Sequence, residues 1–171
     1  MCIRDRKYGG VLLAVIAKSI SIVDSVFKEN HTSNGGAIAT IQCGFVCRGE
    51  RNSMINNTAR NGGTMYAFES KLNVYSAMTI TKNTVSGNGG GLYLHRSDLN
   101  FQDSSSTMLL ENKAIDRGGG IYASDSFVTI FFNRSSSLRS LVNFTNNMAQ
   151  MGGGMYLETA DEIRIVRWVS T

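Results

Sequence analysis

The 171-residue chain sets 17 lysines and arginines against 13 aspartates and glutamates, and its net charge of +4 is dispersed, with no basic run interleaved with aromatics, which gives no argument for a nucleic-acid partner. Eighteen glycines without a single proline argue against long helices and for strands paired on both edges. Three cysteines make no disulfide framework: Cys2 stands in an atypical N-terminal tail, and Cys43 and Cys47 sit in one apparent strand whose extended backbone carries them beyond bridging distance.

In chain order, MCIRDR at the start is foreign to the pattern that follows. We expect residues 1–8 to be a non-native tail plus the start of the first coil, 9–168 to be a repeat region, 169–171 to be a second tail, and the chain to be a piece of a longer protein. The apolar run VLLAVIA after Arg4, Arg6 and Lys7 imitates a secretory signal. It reads better as the first repeat, because Gly9-Gly10, Leu12 and Ala17 all stand in the register of the later copies.

That register is a Gly-Gly pair recurring at Gly9-Gly10, Gly35-Gly36, Gly62-Gly63, Gly89-Gly90, Gly118-Gly119 and Gly152-Gly153. After each pair comes one variable residue and then a large apolar one: Leu12, Ile38, Met65, Leu92, Ile121 and Met155. Tyrosine follows it at Tyr66, Tyr93, Tyr122 and Tyr156. Four residues past the tyrosine position every copy is small, at Ala17, Cys43, Ser70, Ser97, Ser126 and Ala160. Upstream of five pairs an apolar residue stands three before an asparagine, in Phe27/Asn30, Met54/Asn57, Ile80/Asn83, Leu109/Asn112 and Phe144/Asn147.

Between these columns lie short period-two stretches, such as Leu72 and Val74, Leu99 and Phe101, or Val128 and Ile130, which read as two or three strands per unit. A single unit cannot bury its apolar face, whereas stacking it on a copy pairs each strand with its counterpart. The fold expected is therefore all-β, a right-handed parallel β-helix of about six coils. Gly-Gly supplies the tight corner before a strand. The asparagines are expected to form a ladder of amides along the stack, and the tyrosines a stacked column rather than a sugar platform.

The paired GG-x-[large apolar] and FxxN motifs, clearest in FKEN at 27–30 with GGAI at 35–38 and in FTNN at 144–147 with GGGMY at 152–156, resemble the repeats of the chlamydial polymorphic outer membrane proteins. The resemblance implies a β-helix passenger exposed at the cell surface and used in adhesion.

Polysaccharide lyases and hydrolases also use β-helices, so the alternative is the substrate-binding part of such an enzyme. A hydrolase needs two carboxylates about 5 to 9.5 Å apart. Here Asp24, Glu50, Glu69, Asp98, Asp125 and Glu158 change column from coil to coil, and Glu29 and Glu111 share a column interrupted by Asn56 and Lys82. No cofactor is called for, and a metal site would need ligands beyond Cys43, Cys47 and the separated His31 and His95. The expectation is a noncatalytic, surface-exposed or secreted adhesive or structural module. Its partner would be a glycan, matrix component or cell-surface protein, with no nucleic acid and with membrane attachment only through regions outside this chain. Contact sites are expected in the insertions at 97–108 and 131–140. Sequons make Asn56, Asn133 and Asn143 candidate glycosylation sites, and a fourth sequon at Asn30 coincides with the ladder.

Overall fold

Many corners between the short strands are only two residues long, as at 42–43, 69–70 and 96–97, yet the strands they join lie in different sheets, so each finds its partner in another copy of the unit. The computed structural model describes residues 7–102, 106–133, 141–159 and 162–168 and shows this arrangement throughout. The first coil holds β1 (Leu12–Val15), β2 (Ile20–Val23) and β3 (Val26–Lys28). The second holds β4 (Ile38–Ile41), β5 (Gly44–Arg48), β6 (Asn52–Ile55) and β7 (Thr58–Ala59). The third holds β8 (Met65–Phe68), β9 (Lys71–Val74), β10 (Met78–Thr81) and β11 (Thr84–Val85), and the fourth β12 (Leu92–His95), β13 (Asp98–Phe101), β14 (Ser106–Leu110) and β15 (Lys113–Ala114). The fifth holds β16 (Ile121–Ser124), β17 (Phe127–Asn133) and β18 (Leu141–Thr145), and the sixth β19 (Met155–Glu158) and β20 (Glu162–Trp168).

Among the described residues every strand pairing is parallel. The first sheet runs β1-β4-β8-β12-β16-β19, the second β2-β5-β9-β13-β17-β20, the third β3-β6-β10-β14-β18, and a narrow fourth β7-β11-β15. The protein is thus an all-β parallel solenoid. The register joins Leu12, Ile38, Met65, Leu92, Ile121 and Met155 in one column, the large apolar position after Gly-Gly. The middle coils carry four strands rather than two or three. The fourth is two residues long, too short to leave a period in the sequence.

Alternation sends one face of each strand inward. Met65 and Ala67, Leu72 and Val74, and Ile80 fill the third coil, and Leu92 and Leu94, Leu99 and Phe101, and Leu109 fill the fourth, all buried. The residues two past the ladder asparagines make a smaller core beside the fourth sheet, from Ala59, Val85 and Ala114 with Ala149 against them. Cys43 and Cys47 are buried free thiols; Cys47 lies within β5, whereas Cys43 occupies the corner before it. Burial pushes the Cys47 thiol up.

Candidate functional site

The repeated columns are the places where the chain concentrates polar chemistry. Before each ladder asparagine the backbone turns left-handed, at Glu29, Asn56, Lys82, Glu111 and Asn146 with φ between 53° and 58°, and this turn swings the next side chain under the coil. Asn83 shows the result. Its Oδ1 accepts from the Asn57 backbone N–H at 2.9 Å and from Asn57 Nδ2 at 3.0 Å, while its own Nδ2 donates to Asn112 Oδ1 at 2.9 Å and to the Met54 carbonyl at 3.0 Å. The same pattern links Asn30 to Asn57 and Asn112 to Asn147. The second amide proton always reaches the apolar residue of the motif one coil back: Phe27 from Asn57, Met54 from Asn83, Ile80 from Asn112 and Leu109 from Asn147. The three-residue spacing of FxxN is what places that carbonyl within reach.

The two sequence motifs meet across this corner. The first glycine of a pair has left-handed backbone, as at Gly62 with φ of 62°. The second has no room for a side chain: a Cβ on Gly36 would lie 2.0 Å from the Gly63 carbonyl oxygen and 3.0 Å from Asn57 Cβ, and one on Gly63 would lie 2.1 Å from Gly90 O and 2.9 Å from Asn83 Cβ. Gly90, Gly119 and Gly153 hold the same column, behind Gly89, Gly118 and Gly152, and Gly35 opens the second coil.

Two further ladders escaped the sequence reading. The small-residue column bonds along the stack: Ser70 Oγ accepts from Cys43 N–H at 3.2 Å, Ser97 Oγ from Ser70 N–H at 3.0 Å, and Ser126 Oγ from Ser97 N–H at 3.0 Å. Each of these hydroxyls donates to the carbonyl two residues back. Cys43 Sγ plays the acceptor's part for Ala17 N–H, and Ala160 lies outside the described residues. In the middle coils the residue before the Gly-Gly pair forms the other ladder, with Asn61 Oδ1 accepting from Asn88 N–H and Asn88 Oδ1 from Arg117 N–H, both at 3.0 Å. The sequence shows a hydroxyl in three of the six copies of the first column and an amide in three of the second, at Asn34, Asn61 and Asn88.

On the outer face of the first sheet Tyr66, Tyr93 and Tyr122 stack with centroids 5.0 and 4.9 Å apart and planes 6° and 19° from parallel, and Tyr156 continues the column at 6.0 Å. Tyr8 tilts against Tyr66 at its lower end. At the upper end the Tyr122 hydroxyl and Arg117 Nη1 both bond the Glu158 carboxylate, and the Arg117 guanidinium lies over the Tyr156 ring. The Tyr122 bond, with Arg117 beside it, lowers the Glu158 carboxyl against a smaller opposing effect of burial. Burial, reinforced by Tyr93 and Tyr8, pushes the Tyr66 phenol up to about 12, and burial first also raises Tyr93 and Tyr122.

A phenol that binds its proton more tightly in the folded chain adds stability that is whole below the unfolded value of ~10 and is lost as pH rises through the folded value. We therefore expect the melting temperature to fall between pH ~10 and about 12. In an absorbance titration the folded protein should show late tyrosinate formation that urea shifts to lower pH. A single tyrosine transition at one pH in both states would contradict the buried column.

The acids need one correction. Glu69 and Asp125 share the left-handed corner column after the first sheet, which also holds Gln42 and Arg96. Arg96 stands between the two acids and pairs with Glu69 at 3.5 Å, and Gln42 bonds Glu69 from the other side at 2.9 Å. In the column of Glu29 and Glu111, Lys82 lies 3.8 Å from Glu111. Charges of both signs therefore alternate where a row of carboxylates would be needed.

Of the sequon asparagines, Asn56 and Asn143 are exposed, and Thr145 donates to Asn143 Oδ1 at 3.0 Å. Asn133 ends β17. Within the two insertions, residues 103–105 and 134–140 lie outside the described residues, as do the tails at 1–6 and 169–171. Among the described residues no helix is long and apolar enough to cross a membrane, which leaves strand-spanning barrels unaddressed.

Residues 24–41 and 77–95 match the model of the Chlamydia polymorphic membrane protein repeat. Each match runs from the strand before a ladder asparagine, through the Gly-Gly corner, to the end of the following first-sheet strand. No curated protein and no solved structure matches the chain. With the parallel solenoid, these two matches support β-helix repeats similar to those of the polymorphic membrane proteins.

Proposed function

From a stack of such repeats, we propose a noncatalytic, surface-exposed or secreted β-helix segment that acts as an adhesive or structural module. The observation that carries the reading is the use of the repeated polar residues: the Asn, Ser and Tyr columns bond coil to coil, so the repeated polar chemistry of the unit stiffens the stack, and the differences in unit length fall between the columns. A rigid rod with variable lateral loops suits presentation to a glycan, a matrix component or a cell-surface protein. The surface assignment rests on the repeat match.

The test uses the whole chain. Because β13 (Asp98–Phe101) and the end of β17 (Phe127–Asn133) fall within the two expected insertions, only residues between strands are removed. Deleting 134–140 or shortening 102–105 should remove attachment to cells or matrix while circular dichroism stays β-rich, and a panel of acidic and neutral polysaccharides should pass unchanged with or without calcium. Turnover abolished by a single carboxylate substitution would establish the polysaccharide lyase or hydrolase alternative in its place.

A further inference from the structure

The outer face of the second sheet carries a cup that the repeat columns do not explain. On β17 the side chains of Phe127, Thr129 and Phe131 all point outward, because residues two apart share a face. Thr129 is small and almost covered, whereas Phe127 is 43% exposed, so the middle of this strand is sunk between two rings. The rings stand four residues apart, roughly 13 Å along the strand. Across the strand the register places Asn100 on one side of Thr129 and Arg164 on the other, and Asp98 beside Phe127. Together these six residues line a concavity of ≈ 360 Å³. Arg164 lies over the Phe127 ring at 5.7 Å, and Asn100 Nδ2 bonds Asn73 Oδ1 at 3.4 Å, so two of the polar groups are already oriented.

We propose that this cup is a sugar-binding subsite for a neutral oligosaccharide, an inference that rests on the adhesive-module reading and names its ligand. Pyranoses present apolar C–H faces and a rim of hydroxyls that donate and accept at once. The cup matches both: phenyl rings at its ends, and between them a hydroxyl, an amide, a carboxylate and a guanidinium. One positive and one negative group leave no net charge to favour a polyanion. The tyrosine column, by contrast, offers no ring face to a sugar, because its rings lie nearly parallel and cover one another.

The experiment titrates the isotopically labelled full chain with maltohexaose, cellopentaose and triacetylchitotriose, with heparin hexasaccharide as the anionic arm, and maps backbone amide shifts. Saturable shifts at Asn100, Thr129 and Phe131 with at least one neutral oligosaccharide are expected. Phe127→Ala and Phe131→Ala should each weaken binding about tenfold or more at unchanged melting temperature, and Tyr93→Phe should leave it unaltered. Shifts centred on the tyrosine column, preference for heparin, or no saturable shift with any neutral oligosaccharide would overturn the subsite. A chain that attaches to cells yet binds none of these sugars overturns the subsite and leaves the adhesive reading intact. Sugar binding at the cup without attachment supports the subsite and removes the adhesive reading, and turnover of the bound sugar supports the subsite and removes the noncatalytic one.

Discussion

Gly63→Ala is expected to cost about 3 to 5 kcal/mol, whereas Gly154→Ala should change stability by less than about 1 kcal/mol. The added methyl on Gly63 would stand 2.1 Å from the Gly90 carbonyl oxygen and 2.9 Å from Asn83 Cβ. Neither neighbour can give way cheaply. The carbonyl belongs to the next coil's backbone, and Asn83 is held by hydrogen bonds on both sides, so relief requires the coils to part and loosens the ladders on either side. At Gly154 the nearest atoms to a Cβ are Phe144 side-chain atoms at 3.5 to 3.8 Å, ordinary contact distances, and earlier coils put Ala37 and Thr64 in that column. Urea unfolding of the two variants decides the matter. Equal midpoints would show that the coil spacing is not set at the Gly-Gly corner.

Asn83→Ala should destabilise by about 3 kcal/mol, against less than about 1 kcal/mol for Asn100→Ala. Asn83 is fully buried and its side chain takes part in four hydrogen bonds at 2.9 to 3.0 Å; its loss strands the Asn57 N–H and one Asn57 amide proton and takes a donor from the Met54 carbonyl and from Asn112 Oδ1, which keeps only the Asn83 backbone N–H. Asn100 faces outward and makes one long bond at 3.4 Å to Asn73, where solvent can replace it. The pair is matched in residue type and lies in neighbouring coils, so the same group is deleted in both variants. Thermal and urea midpoints that coincide for the two variants would count against the amide ladder as a source of stability.

Sequence and structure divide the protein along a physical line. A period near 27 residues places chemically identical groups at equal intervals, and a stack converts equal intervals into contact, so the parallel solenoid and the membership of the Gly, Asn and Tyr columns could be read from spacing alone. The second glycine needed no structure to be noticed, but its reason did: only the fold brings Gly63 against Asn83, two motifs that the sequence presents as separate. The Ser70, Ser97 and Ser126 column was legible as small and not as bonded, since size shows in the letters and hydrogen-bond direction does not. Strands of two residues, as at Thr58–Ala59, carry no period and emerge only when a neighbouring coil supplies the partner. The cup at Thr129 lies furthest from the sequence. Asn100, Thr129 and Arg164 belong to three coils with different insertions between them, and side chains that far apart in the chain become one surface only through the register of the parallel sheet. By itself the sequence determined the repeat, the fold and the ladder columns, because these depend on identity at a fixed spacing; the tertiary structure alone decided which unlike residues from different coils stand side by side, because that depends on where the insertions let the stack close.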